Sequence, residues 1–164
     1  MTAASCELIS EAATAIILFL LITPGVHLIH ELGHAIMVLR VGWQVKQIRI
    51  GGQFSVSWRW KSVLIQFGLP PYGGACKHER PATEGHSPQL KKLIAIYSAG
   101  TLTTSALIAL VYIPASLSYT LPLWADLLCL CLLGEQLFQF LPASTDGKML
   151  RFFFRLWASS PRSS

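Results

Sequence analysis

Between Ala12 and His30 the chain carries no charged side chain, and after Glu31 the run resumes as far as Leu39. A helix needs about 20 apolar residues to cross a bilayer, so this stretch limits more than any other what the chain can become. Among its 164 residues, 52% are hydrophobic and only 13% charged, with a mean hydropathy of +0.51, values that point to a membrane protein. A second uncharged segment covers 93–113, and a third, 121–141, is interrupted by Asp126, Glu135, Gln136 and Gln139. The flank before Ala12 carries Glu7 and Glu11 and no Lys or Arg, the reverse of a signal peptide's positive start. The expected fold is a single α-helical integral membrane domain over 1–164. It has three spans (12–39, 93–113 and 121–141), a β and loop region at 40–92 and a C-terminal segment at 142–164.

Charge sets the expected orientation. Of the thirteen Lys and Arg residues, nine lie between the first two segments and four follow the third. Positive residues favour the cytosolic side, which places the N-terminus outside and both the 40–92 region and the C-terminus in the cytosol. The net charge of +5 is accounted for by anionic lipid beside those segments, and no nucleic-acid partner is expected. Cys6, Cys76, Cys129 and Cys131 form no C-x-x-C pattern and read as structural thiols.

Between the first two segments the period changes. Phe54, Val56, Trp58 and Trp60 alternate with Ser55, Ser57, Arg59 and Lys61, the period of two of a half-buried strand. Gly51-Gly52 supplies a turn, so a small hairpin over 45–61 is expected. The stretch from Leu69 to Pro88, rich in Pro and Gly, reads as an exposed loop that includes His78 and His86.

Polar groups inside the first segment carry the chemistry. His30-Glu31-Leu32-Gly33-His34 fits H-E-x-x-H. On a helix the i, i+4 spacing turns both imidazoles to one face, where they can grip one Zn²⁺, with the glutamate close enough to take a proton from water. A carboxylate at the centre of a membrane helix costs roughly 2.5 to 3.5 kcal/mol on insertion scales and is functional by default. A catalytic zinc site has three protein ligands as a rule. Of the downstream carboxylates, Asp146 lies past the cytosolic end of the third segment, at the depth of the histidines if 141–147 dips back; Glu135, near mid-segment, is the second choice. His27 shares the face of His30 and His34 and is expected to hydrogen-bond a neighbouring helix.

These residues fall into a recognisable order. "HELGHA", "LPPYGGA" at 69–75, "YSAGTLTT" at 97–104 and "QFLPASTDGKML" at 139–150 together resemble the site-2 protease family of intramembrane zinc metalloproteases, in a minimal form. The resemblance implies one Zn²⁺ per chain held by His30, His34 and Asp146, with Glu31 as general base. It further implies a membrane-embedded protein substrate, while the charge orientation places the active site toward the cytosolic side. His27, Thr104 and Gln139 would then lie around the ligands, although Thr101, Thr104 and Gln139 depart from the family's usual Pro, Asn and Asn. Phe54, Val56, Trp58, Gly73 and Gly74 are expected to receive the substrate as an added strand. Regulation would come from a membrane partner, since 164 residues leave little room for a sensing domain. The alternative is an inactive relative that binds partners or keeps zinc for structure.

Overall fold

The computed structural model describes residues 3–52, 54–70, 72–81, 89–141 and 143–159. The first apolar run forms α1 (Ala3–Arg40), and the second forms α2 (Leu90–Ser118). Both are long and apolar enough to cross a membrane. α1 stops where Gly42 takes a φ of +82°, a conformation that costs glycine nothing and other residues much. Trp43 N–H then donates to Val38 O at 2.9 Å and Gly42 N–H to Leu39 O at 3.0 Å, the paired bonds of a Schellman cap. Trp43 and Val38 are both buried in the cluster that also holds Ala35, Val45, Ile48 and Ile96, so the cap turns the chain from helix into sheet with the core beneath it.

The third segment departs from expectation. α3 (Leu123–Phe138) has 16 residues, or about 24 Å of helix, against a hydrocarbon core of about 30 Å. Among the described residues only α1 and α2 qualify as spans, so the three-span architecture is corrected to two candidate spans and a shorter third helix. Polar groups mark its start. Trp124 N–H at the start donates to Glu11 Oε2 at 2.9 Å, and Tyr112 donates to Asp126 at 2.6 Å. Past Phe138 the chain turns through 139–141 before α4 (Thr145–Ser159).

The small hairpin is corrected as well. β1 (Gln44–Ile50), β2 (Phe54–Trp60), β3 (Val63–Leu69) and β4 (Gly74–Glu79) form a mixed sheet in the order β2-β3-β1-β4. β1 and β2 are not neighbours: β1 pairs in parallel with β3, and Gly51-Gly52 begins a crossing link rather than a hairpin turn. The hairpin that does form joins β2 to β3, where Trp60 pairs with Val63 across Lys61 and Ser62. Part of the expected 69–88 loop is β4, antiparallel to β1, with Cys76 opposite Ile48 and Gly74 opposite Ile50. His78 is therefore a strand residue whose ring stacks on Trp43 at 5.4 Å. His86 lies outside the described residues. All four cysteines are free thiols.

Candidate active site

Near the C-terminal end of α1, His30, Glu31 and His34 are each 5% exposed. Close helix crossing makes this enclosure possible. A side chain at Gly33 would lie 2.9 Å from Ala99 O of α2, and one at Gly100 would meet His34 Nε2 at 2.5 Å and His30 Nε2 at 2.7 Å. A backbone with no Cβ at 100 therefore leaves room for both imidazoles.

The ring nitrogens are oriented from behind. His34 Nδ1 lies 2.6 Å from Ile96 O; a carbonyl only accepts, so Nδ1 carries the proton and Nε2 offers a lone pair. His30 Nδ1 likewise faces Gln136 Oε1 at 3.2 Å. Both Nε2 atoms converge on Asp146 Oδ2, at 3.0 Å from His30 and 3.1 Å from His34, and stand 3.1 Å from each other. Tetrahedral zinc with bonds of about 2.0–2.1 Å spaces its ligand atoms about 3.3 Å apart. The three side chains thus fit a metal: two neutral imidazoles and one carboxylate, each presenting one atom to the same point.

Asp146 reaches this point from the first turn of α4. Ser144 caps that helix: its Oγ accepts from Gly147 N–H at 2.9 Å and donates to Gln139 O at 2.6 Å, satisfying an end-group that would otherwise be orphaned. Burial by itself would raise the Asp146 carboxyl. Hydrogen bonds and charge from His30 and His34, when their Nε2 atoms carry protons, outweigh it and hold the group at about 2.

Glu31 sits across the cavity. Its Oε2 is buried without a hydrogen-bond partner among the described residues, and a side chain at Gly74 would come 2.4 Å from Oε1. Gly74 thereby keeps β4, an edge strand, in direct contact with the carboxylate. The surrounding cavity of about 280 Å³ is bordered by His27, Gly73, Gly74, Tyr97 and Gln139 as well as by the cluster. Burial pushes the Cys76 thiol up to about 12, with the Glu31 charge adding to the effect, so Cys76 is not poised as a thiolate nucleophile.

Other expected residues stand outside the metal cluster. His27 Nε2 pairs with Glu135 Oε1 at 3.2 Å, which gives Glu135 to His27 rather than to the cluster. Thr104 Oγ1 donates back to Gly100 O at 3.0 Å. Phe54, Val56 and Trp58 lie exposed on β2, the opposite edge of the sheet from β4, and do not border the cavity. Sequence reading missed Gln136 and the Ile96 carbonyl. A buried glutamine in an apolar helix is a legible signal, though the sequence shows it only as an interruption; a backbone carbonyl leaves no signal at all.

No curated protein and no solved structure matches the chain. The profile of Peptidase family M50 matches residues 14–154, a stretch running from within α1 to within α4 and holding every member of the cluster. The chain belongs to peptidase family M50, the site-2 protease family of membrane-associated zinc metalloproteases.

Proposed function

We propose that the chain is a zinc-dependent intramembrane endopeptidase acting on membrane-anchored protein substrates. One observation carries this reading: two Nε2 atoms and one carboxylate oxygen meet within 3.1 Å, beside a buried glutamate whose Oε2 has no hydrogen-bond partner among the described residues. His30, His34 and Asp146 would hold the metal. When bound, zinc supplies Lewis-acid polarisation of water and of the scissile carbonyl. Glu31 takes the proton from the attacking water and delivers it to the leaving amine. The His27–Glu135 pair stands one helical turn behind His30. A helical substrate must be drawn out before its carbonyls are open to attack, and β4 offers the strand edge for this, because Gly74 places that edge against Glu31. The β4 edge replaces the 45–61 hairpin as the expected receiving strand. The orientation that accompanies this reading has the N-terminus outside and the sheet in the cytosol.

A second reading, a relative that keeps the metal without turnover, draws on Thr104. Its hydroxyl is spent on its own helix and is not offered to an oxyanion.

Elemental analysis of the detergent-purified chain tests the metal site. About one zinc per chain is expected, and Asp146→Ala should lose it; a wild type that takes up no zinc after loading would end the enzymatic reading. Gln136→Leu removes the acceptor behind His30 and should weaken zinc about 10- to 100-fold in chelator competition. Unchanged affinity would show that Gln136 does not orient the ligand.

A further inference from the structure

We propose that α4 lies in the membrane interface and binds the phosphate of an anionic phospholipid headgroup through Lys148, Arg151 and Arg155. Docking there fixes the position of Asp146 at the start of the same helix. The coupling to Asp146 rests on the proposed metal site; the lipid site does not.

Lys148, Arg151 and Arg155 are spaced i, i+3 and i+7, which makes one stripe along the helix. Together with Phe152 they border a shallow recess of about 320 Å³. None of the three forms an ion pair with a described residue, and the one acid on α4, Asp146, is engaged by His30 and His34. The stripe is an unbalanced cationic surface.

Its flanks identify the partner as a membrane. On the far face of α4, Leu150 and Phe153 are buried, the latter ring 5.6 Å from Tyr97 of α2. Along one flank of the stripe Phe152, 53% exposed, and Leu156 stand bare, along the other Phe154 is exposed, and Trp157 continues the line of Leu150 and Phe153 past the core, 53% exposed. A helix with cations on one stripe and bare aromatics next to them is the pattern of one lying in the headgroup plane, its rings in the acyl boundary. A nucleic acid would match the cations and leave the rings in water.

Depth agrees. α4 packs on the first turns of α2, where Ile94 and Ser98 face Leu150 and Phe154 across a groove. α2 is a candidate span, and Lys91 and Lys92 stand at its start. This is the level at which hydrocarbon gives way to headgroups.

The test uses the full chain in nanodiscs of phosphatidylcholine with or without phosphatidylglycerol. Native mass spectrometry reads which lipid each protein retains. Three basic residues at an anionic surface should give a preference on the order of 100-fold for phosphatidylglycerol. K148Q/R151Q/R155Q should lose it, and the charge-conserving R151K/R155K should keep it. Equal retention by wild type and K148Q/R151Q/R155Q would overturn the lipid site, as would displacement of the lipid by duplex DNA.

Zinc competition in the same discs reads the coupling. Phosphatidylglycerol should tighten zinc in the wild type and not in K148Q/R151Q/R155Q. A zinc affinity indifferent to lipid, with lipid still retained through the stripe, would overturn the coupling. Absence of zinc from every sample would instead defeat the metal site while lipid retention still decided the headgroup site.

Discussion

Glu31→Gln should abolish cleavage while leaving zinc in place. The amide keeps the volume of the carboxylate and its contact with Gly74, but it can no longer take a proton from water. General acid–base catalysis contributes about 100- to 10,000-fold, so cleavage should drop by that factor. Zinc occupancy should match the wild type, because the Glu31 carboxylate oxygens are not part of the His30, His34 and Asp146 cluster. Terminal-peptide mass spectrometry of membranes from cells expressing each version provides the readout: new termini within substrate membrane segments should appear with the wild type alone. Termini that persist in the Glu31→Gln sample would remove the glutamate from the mechanism. A wild type that generates none, with zinc bound, would favour the non-cleaving reading raised by Thr104.

What could be read from the sequence, and what could not, follows the range of the interactions. The α1 helix and its H-E-x-x-H face are local, set by apolar run length and by 3.6-residue spacing. β2 was legible as a strand, because alternation is a property of neighbours along the chain, but the half-burial expected of it is not seen: every residue of β2 is exposed. Strand pairing is not local. β1 lies beside β3 in parallel and beside β4 across a long link, and "GACKHE" sits within the Pro- and Gly-rich stretch 69–88 without a strand's alternation, so its strand character comes from β1 and the core rather than from its own residues. The apolar count of the third segment promised a span, yet Gln136 is buried to orient His30 and the turn after Phe138 swings Asp146 toward α1. There the demands of the site shorten the helix below what composition alone indicates.

Gly100→Ala should empty the metal site although alanine is the better helix former by about 1 kcal/mol. The new Cβ would stand 2.5 Å from His34 Nε2 and 2.7 Å from His30 Nε2, inside the distance that any carbon and nitrogen tolerate without bonding. Neither ring can step aside cheaply, since Ile96 O holds one and Gln136 the other from behind. Relief must come from parting α1 and α2 or turning the rings, and either separates the two nitrogens from Asp146 Oδ2. Zinc affinity should therefore fall by more than the 10- to 100-fold typical of losing a supporting hydrogen bond, and cleavage should fall with it. Gly134→Ala is the matched control: the same substitution in α3, where an added Cβ meets nothing within 4 Å, should hold zinc as the wild type does and be neutral or slightly stabilising. Equal zinc affinity in the two variants would mean that the helices can part at 100 without disturbing the ligands. The close crossing would then be a packing feature rather than the device that shapes the site.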